Sequence, residues 1–112
     1  MDKLPNLENA VIDIRKLRAY CLNANHPVGK HKARVFKSKL GIDQDDAEWL
    51  KQLILSALPD SQSNLNFKDQ FGTRYTVTIK IRILNKECTL ITGWIIKTNE
   101  NFPRLSTCYL KT

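Results

Sequence analysis

The residues best suited to chemistry lie close together in HPVGKHKARVF, which spans residues 26–36 and combines two histidines with a glycine and several cations. His31 is the strongest candidate for a general acid or base, because imidazole titrates near neutral pH. An ordinary surface histidine would look the same in the sequence, so both interpretations stay open. His26 precedes a proline in a predicted loop, where it could orient a substrate or cap the next helix.

Lys32 is the second candidate in this stretch. A helical wheel places it at the rim of the buried side, beside Phe36. An amine confined there could contact the negative charge of a transition state. The alternative is a lysine whose aliphatic stem covers the rim of the core while its amine stays in water.

The same predicted helix carries a cationic ridge. Lys30, Arg34 and Lys37 follow each other at i, i+4 and i+7 and therefore lie on one side. Gly29 precedes the helix, and free backbone N–H groups at a helix start favour anions. The ridge predicts binding of phosphate groups, although a glycine before a helix is also ordinary loop chemistry.

A second constellation lies near the C-terminus in PRLSTCYL, residues 103–110. Thr107 and Tyr109 are two residues apart and share one side of a predicted strand, and Arg104 is close to them. All three side chains donate hydrogen bonds that suit a phosphate oxygen. The alternative is that threonine and tyrosine are simply good strand formers.

Other kinds of chemistry find little support. Cys21, His26 and His31 are evenly spaced, but zinc sites usually contain close ligand pairs such as CxxC or HxxxH, and this chain has none. No Walker A, GxGxxG, GxSxG or HExxH motif occurs. The acids within residues 43–48 cluster where a helix begins, which indicates capping. We therefore expect neither a metal nor another cofactor.

The charge of the chain is distributed unevenly. The net charge is +7, and between Asp13 and Asp43 there are eight cations and no acid. Such a block favours a polyanionic partner such as RNA or an acidic protein, although positive charge can also serve solubility alone. Three cysteines far apart argue against a disulfide framework and favour a reducing, cytoplasmic location. No apolar run approaches the roughly 20 residues of a membrane span.

Helices are expected to position the first group of candidates. Apolar residues recur at helical spacing in three stretches of the N-terminal half, residues 13–23, 29–41 and 45–58. Asp13 is a possible cap of the first helix, and Gly41 is a natural end of the second. Asp45 with Glu48 resembles a capping box at the start of the third.

Strands are expected to position the second group, because the C-terminal half alternates apolar and polar residues. The pattern predicts strands in residues 64–70, 74–84, 87–97 and 104–111. The two central strands would form a hairpin around a two-residue turn, Asn85-Lys86, with Ile83 opposite Cys88. In that register the facing side chains are nearly all apolar.

The whole chain, residues 1–112, is therefore predicted to form a single α+β domain. Two or three N-terminal helices precede a roughly four-stranded antiparallel sheet and cover one of its faces. The other face would be polar and partly basic. Lys80 and Arg82 lie on it and are candidate RNA contacts.

The string LPN…HPVGKHKARVF…LGI…DDAEWL…TGWII…FPRLSTCYL resembles a bacterial domain family known only as a domain of unknown function, over nearly the whole chain. The family pattern is HP.G..KA..F, then a Trp/Leu helix, then a strand hairpin that ends in PRL.T.Y. The resemblance implies a small protein encoded beside a small partner, or a module at the end of a larger toxin. The layout is also similar to metal-independent ribonuclease toxins of the barnase, colicin and RelE type.

On that likeness, Lys32, Arg104, Thr107 and Tyr109 are carried over as catalytic candidates. His31 is less secure, because the family pattern does not demand a histidine at that position. The chain departs from the barnase type in having no strand carboxylate placed as an obvious base.

Three hypotheses follow. In the first, the protein is an endoribonuclease toxin held by a small antitoxin-like or immunity-like protein. His31 or Tyr109 would activate a 2′-hydroxyl, while the phosphorane-like charge would be stabilised by Lys32, Arg104 and Thr107. In the second, it is a non-catalytic module that binds nucleic acid or an acidic partner through the same charge. In the third, it is a structural protein that could form a homodimer through an open strand edge.

Overall fold

Helices precede strands along the chain, as predicted. The structure, a computed structural model, describes residues 2–83 and 85–111. The helical part consists of a 3-10 turn at Leu7–Asn9, a π-helical segment at Lys16–Cys21, and two α-helices, α1 at Lys30–Leu40 and α2 at Ala47–Ala57, with further 3-10 turns at Gln44–Asp46 and Leu58–Asp60. The strands are β1 at Gln62–Asp69, β2 at Gly72–Ile83, β3 at Lys86–Lys97 and β4 at Arg104–Leu110.

The four strands form one antiparallel sheet in the order β1-β2-β3-β4, so neighbours along the chain are also neighbours in space. The predicted α+β class and the antiparallel sheet are confirmed. Among the described ranges, no helix has the length and apolar character needed to cross a membrane.

One face of the sheet forms the core together with the helices. Alternate residues of β2 and β3 are buried there, because successive side chains of a strand point to opposite faces. Phe36 of α1 and Trp94 of β3 are the largest fully buried side chains. Thr92 donates a hydrogen bond to the carbonyl of Val77 and accepts one from the indole N–H of Trp94, both at 2.8 Å. These bonds satisfy polar groups that would otherwise be unpaired in an apolar core.

Helix α1 begins after Gly29 and ends at Gly41, close to the predicted limits. Ala33 and Phe36 are buried on the side that faces the core. Gly41 has a φ of 70°, a left-handed conformation that glycine adopts without steric cost, and its N–H donates to the carbonyl of Lys37.

The start of α2 corrects one prediction. The capping box is formed by Asp43 and Asp46, not by Asp45 and Glu48. The Asp43 carboxylate accepts a hydrogen bond from the N–H of Asp45, and the Asp46 carboxylate accepts one from the N–H of Asp43, both at 3.0 Å. The sequence offers two acid pairs at this spacing, and the structure uses the first, because a 3-10 turn precedes α2.

The hairpin of β2 and β3 is formed, but in a different register from the predicted one. Ile83 pairs with Lys86, where a turn at Asn85-Lys86 would have placed Cys88 opposite it. Every other predicted pair moves by the same two residues, so each side chain keeps its predicted face. Leu84, which ended the predicted strand, lies outside the described residues.

Strand β4 contains one more residue than the segment of β3 that it faces. Thr107 and Leu105 pair with the adjacent residues Gly93 and Trp94, so Ser106 stands without a partner in the ladder. Such a bulge interrupts the alternation of faces. The side chains of Leu105 before the bulge and Cys108 after it are therefore both buried in the core.

Candidate functional site

The side chain of Lys32 is the centre of the candidate site. Helix α1 packs beside β4, which is an edge strand of the sheet. The Nζ atom of Lys32 donates a hydrogen bond of 3.3 Å to Oγ1 of Thr107. The same atom lies 4.9 Å from the ring centroid of Tyr109 and 5.8 Å from that of Tyr20. Both distances allow a cation–π attraction.

The sequence explains why these groups meet. Lys32 lies one helical turn before the buried Phe36, so its stem is held at the rim of the core. Thr107 and Tyr109 point away from the core because they alternate with the buried Cys108. The Lys32 stem therefore passes the β4 edge and places its amine on the outer face of the sheet. Two other predicted catalytic residues, Thr107 and Tyr109, therefore contact this amine.

The Lys32 amine has neutral partners. No ion pair joins it to a carboxylate within residues 2–83 and 85–111. Its contacts are one hydroxyl and two aromatic rings, whereas an ammonium group can donate three hydrogen bonds. Donor capacity therefore remains for an anionic ligand.

Two thiols lie near this amine. Cys21 and Cys108 are both free and buried. The hydrogen bond between them and their burial raise the pKa of the Cys108 thiol. The same hydrogen bond lowers the pKa of Cys21, and the positive charge of Lys32 acts in the same direction.

Tyr20 reaches the amine from the π-helical segment and also contacts His26. The two rings meet edge to face, with centroids 4.8 Å apart and planes at 79°. The Nδ1 atom of His26 accepts hydrogen bonds of 3.0 Å from the N–H groups of Val28 and Gly29. His26 thus has the capping geometry that was one of its two predicted roles. Its Nε2 atom remains as the nitrogen that can bind a ligand.

Gly29 permits the contact between Tyr20 and the start of α1. A Cβ atom at position 29 would lie 2.5 Å from the carbonyl oxygen of Tyr20 and 3.0 Å from its ring. Both distances are shorter than van der Waals contact, so a side chain there would push the π-helical segment away. The sequence interpretation missed Tyr20. The glycine directly before α1 was a signal that two backbones approach each other, and π-helical turns recur at functional sites.

A cleft of about 590 Å³ opens beside this group, and we call it the Tyr20 cleft. Its lining residues are Asp13, Arg15, Lys16, Tyr20, His26, Val28 and Ser106. Asp13 and Arg15 form an ion pair at one edge, with Nη2 of Arg15 2.7 Å from Oδ2 of Asp13. Hydrogen bonds from the Arg15 side chain and backbone lower the pKa of Asp13 to about 2. Both groups are therefore charged at neutral pH.

A smaller depression of about 190 Å³ lies on the outer face of the sheet, and we call it the sheet cleft. It extends over β4 to β1, with Arg74, Thr76 and Tyr109 among its lining residues. Gly93 leaves room for it, since a Cβ there would lie 3.0 Å from Oγ of Ser106.

The two clefts meet at the candidate site. Ser106, the unpaired residue of the β4 bulge, lines both of them. Tyr20 lines the first cleft and Tyr109 the second, and the Lys32 amine lies 5.8 Å and 4.9 Å from the centroids of these two rings. A chain-like ligand that crossed from one cleft to the other would pass Ser106.

Arg104 and His31 have other surroundings. Nε and Nη2 of Arg104 donate to the Glu100 carboxylate at 2.8 and 2.9 Å, and its guanidinium lies 4.9 Å from the Phe102 ring. The hydrogen bonds between them raise the pKa of Arg104 and lower that of Glu100. His31 is exposed on α1. Among the described residues, the structure records no contact of either side chain with the Lys32 amine.

The predicted phosphate contacts lie on two surfaces. On α1, Lys30 is half-buried, Arg34 is exposed, and Lys37 forms an exposed ion pair with Asp43 at 3.4 Å. On the outer face of β2, the side chains at 80 and 82 are exposed. Cations therefore lie both on α1 and on the outer face of the sheet.

Metal-ligating side chains do not converge in the described part of the chain. No group of three or more His, Cys, Asp or Glu residues there could hold an ion. Of the evenly spaced Cys21, His26 and His31, the first is buried, the second caps α1 and the third is exposed.

A known protein family matches almost the whole chain. The family model described as "Domain of unknown function (DUF6883)" matches residues 3–112. The chain belongs to this family. The predicted membership of a family of unknown function is thereby confirmed. Neither a curated protein nor a solved structure matches the chain significantly.

Proposed function

We propose that this protein is a metal-independent endoribonuclease that acts as a bacterial toxin, and that its active site is the group around Lys32. The supporting observation is that the Lys32 amine lies beside the Thr107 hydroxyl and two tyrosine rings, with no carboxylate paired to it among the described residues. A preorganised cation of this kind stabilises the negative charge that develops on a phosphate during transfer.

The proposed reaction is attack of a ribose 2′-hydroxyl on the adjacent phosphorus. A base takes the hydroxyl proton, the O2′–P bond forms, the P–O5′ bond breaks, and the leaving O5′ takes a proton. The products are a 2′,3′-cyclic phosphate and a 5′-hydroxyl. Lys32 and Thr107 donate to the non-bridging oxygens, while the Tyr109 hydroxyl exchanges the protons. Nδ1 of His26 accepts two backbone hydrogen bonds, so its Nε2 carries the ring proton and donates a hydrogen bond to the RNA without taking part in proton transfer. His31 is the competing base on the helix surface.

Cations outside the cluster hold the RNA backbone. Arg74 lines the sheet cleft, and Lys80 and Arg82 continue along the outer face of the same strand. Arg34 extends the positive surface on α1. Each phosphate contact releases counterions, so RNA binding is expected to weaken steeply as salt rises.

A small protein partner belongs to the same proposal. An RNA-cleaving protein in the cytoplasm must be inhibited in the cell that makes it. The net charge of +7 favours an acidic antitoxin-like or immunity-like protein that covers the Lys32 site. Co-expression of the neighbouring gene should relieve growth arrest if that gene encodes the partner.

The experiment that tests the proposal is incubation of the purified protein with RNA in EDTA, with analysis of the product ends. We expect 2′,3′-cyclic phosphate ends and growth arrest on induction. Lys32→Met keeps the aliphatic stem and should lower the cleavage rate by about 10²-fold or more. Lys39→Met, on the same helix but outside the predicted phosphate contacts, is the matched control and should cleave at nearly the wild-type rate. Absence of both cleavage and growth arrest in the wild type contradicts the proposal.

The two histidines of the stretch provide a second comparison. His26→Asn retains a side chain that can cap α1 but lacks the imidazole, and His31→Asn removes the exposed imidazole. With Tyr109 as the base, we expect both variants to cleave within about tenfold of the wild-type rate. A loss of about 10²-fold in His31→Asn alone would assign the base to His31. Thermal unfolding of both variants separates loss of the cap from loss of the base.

A non-catalytic RNA-binding module is the second candidate function. It is favoured by the surroundings of Arg104, whose charge is paired with Glu100, and by the exposed position of His31. On this alternative, Lys32→Met weakens RNA binding no more than Arg34→Met does, and the wild type binds RNA without cleaving it.

A further inference from the structure

The Tyr20 cleft is larger than a phosphate site requires. Its volume of about 590 Å³ lies within the range of roughly 300–1,000 Å³ that is typical of sites for small molecules or cofactors. The phosphate of the proposed reaction binds at the Lys32 amine and Thr107, neither of which lines this cleft. The cleft therefore has room for another part of a ligand.

The lining of the cleft combines aromatic and apolar surfaces with a polar edge. The rings of Tyr20 and His26 and the side chain of Val28, which is 69% exposed, provide the apolar contacts. Arg15 and Ser106 provide the polar groups. The Arg15 side chain is 84% exposed and uses Nε and Nη2 on Asp13, so further N–H groups of its guanidinium remain available.

The position of the cleft connects it to the proposed reaction. The Tyr20 ring centroid is 5.8 Å from the Lys32 amine. Ser106 lies on the boundary between the Tyr20 cleft and the sheet cleft. A group bound in the Tyr20 cleft is therefore an immediate neighbour of a phosphate bound at Lys32.

We infer that the Tyr20 cleft is a nucleobase subsite, which takes one unpaired base of single-stranded RNA next to the phosphate at Lys32. RNA as the ligand rests on the proposed function. A flat base stacks on aromatic side chains and presents acceptor atoms at its edge, which match Tyr20 and the free donors of Arg15. A base within a duplex is stacked and paired, so a duplex cannot fill the cleft.

Binding of a 2′-O-methyl RNA pentamer tests this inference. Such a strand lacks the 2′-hydroxyl nucleophile, so binding is measured without cleavage. A series is prepared in which each position in turn is abasic, and affinities are measured by fluorescence anisotropy. We expect one position at which loss of the base weakens binding about tenfold, because a base that stacks on an aromatic side chain contributes to the affinity. Equal affinity for the whole series, or equal affinity for a duplex, would overturn the inference.

Variants of the cleft assign the effect to its residues. We call the loss of affinity on removal of that base the abasic penalty. Arg15→Gln should reduce this penalty from about tenfold to about threefold, because the variant has already lost one contact with the edge of the base. Arg18→Gln is the matched control, because it removes an exposed cation of the same segment that does not line the cleft. Tyr20→Leu should abolish the penalty. If that variant fails to fold, Arg15→Gln decides. An unchanged penalty in Arg15→Gln counts against the subsite.

The outcomes separate this inference from the proposed function. An abasic penalty without RNA cleavage keeps the base subsite and removes the endoribonuclease. Cleavage without an abasic penalty keeps the endoribonuclease and overturns the base subsite. Failure of the pentamer to bind at all overturns the base subsite as well.

Discussion

The two edges of the sheet differ in what covers them. At β4, the π-helical segment and α1 pack against the strand, and no side chain of the strand is fully exposed. At β1, only one of eight residues is buried, and Leu65 and Phe67 are exposed. The first edge is part of the core, whereas most of the second lies beyond the helices.

This difference explains where a site can form. At β4, a helix supplies the Lys32 amine, the strand supplies the Thr107 hydroxyl, and the π-helical segment supplies the Tyr20 ring. Their spacing is fixed by packing between three elements. At β1, exposed side chains extend from a single strand into solvent. We therefore expect substitutions near β4 to change both stability and function, and those at the outer edge of β1 to change neither much.

A pair of phenylalanines gives the largest expected difference between the two edges. Phe36 is fully buried, whereas Phe67 is 52% exposed. Phe36→Ala should lower the free energy of unfolding by about 3–5 kcal/mol through loss of burial and the cavity that it leaves. Phe67→Ala should lower it by less than about 1 kcal/mol. Urea denaturation measures both, and similar losses for the two would show that the β1 edge contributes to the core.

A pair of glycines compares the two ends of α1. Gly29→Ala places a Cβ 2.5 Å from the Tyr20 carbonyl oxygen and should cost about 1–3 kcal/mol by overpacking. Gly41→Ala meets no neighbouring atom but is strained at a φ of 70°, so it should cost about 1 kcal/mol.

Two further measurements distinguish the causes of the two losses of stability. Gly41→Asn should recover part of the loss, because asparagine tolerates the left-handed conformation. Gly29→Ala should also shift the amide resonances of Tyr20 and weaken RNA binding, which Gly41→Ala should leave unchanged. Loss of stability at Gly29 without any change at Tyr20 would contradict the role of close backbone approach.

The sequence predicted which side chains face the core better than it predicted the register of the hairpin and the cap of α2. Alternation in β2 correctly placed its apolar side chains in the core. It could not fix the register, because a slip of two residues again brings mainly apolar side chains opposite one another. The cap of α2 was ambiguous for a similar reason, since Asp43 with Asp46 and Asp45 with Glu48 have the same spacing.

The candidate site could be predicted only in part. Local geometry was sufficient for two of its features. Helical spacing placed Lys32 beside Phe36, and two-residue strand spacing placed Thr107 and Tyr109 on one face. The approach of Tyr20 depends on a π-helical turn. The pattern of the segment fits an ordinary helix equally well, so this contact was not foreseen. The pairing of Arg104 with Glu100, four residues earlier, was also missed, because it lies in a loop before the strand.

A pair of threonines on the outer face sharpens the comparison at the level of single hydroxyl groups. Thr107 accepts the hydrogen bond from Lys32, whereas Thr78 lies on β2 opposite Gln62. Thr107→Val and Thr78→Val should each change the free energy of unfolding by about 1 kcal/mol or less. Only Thr107→Val should lower the RNA cleavage rate, by at least about tenfold. Equal cleavage by the two variants would remove Thr107 from the active site.

The smallest expected effect concerns the pH dependence of the Tyr20 cleft. Hydrogen bonds from Arg15 hold the pKa of Asp13 at about 2, below the ordinary value of 3.8. Because the folded-state pKa is depressed, the stabilisation is fully present above about pH 4 and is lost as the pH falls towards 2. The cleft edge should therefore keep its charges from pH 5 to 9.

Arg15→Gln should raise the pKa of Asp13 towards 3.8, measured by NMR of its carboxyl carbon, and Arg18→Gln should not. A wild-type pKa near 3.8 would mean that Arg15 is not held by Asp13 in solution. The Arg15 guanidinium would then lack the fixed orientation that the base subsite requires.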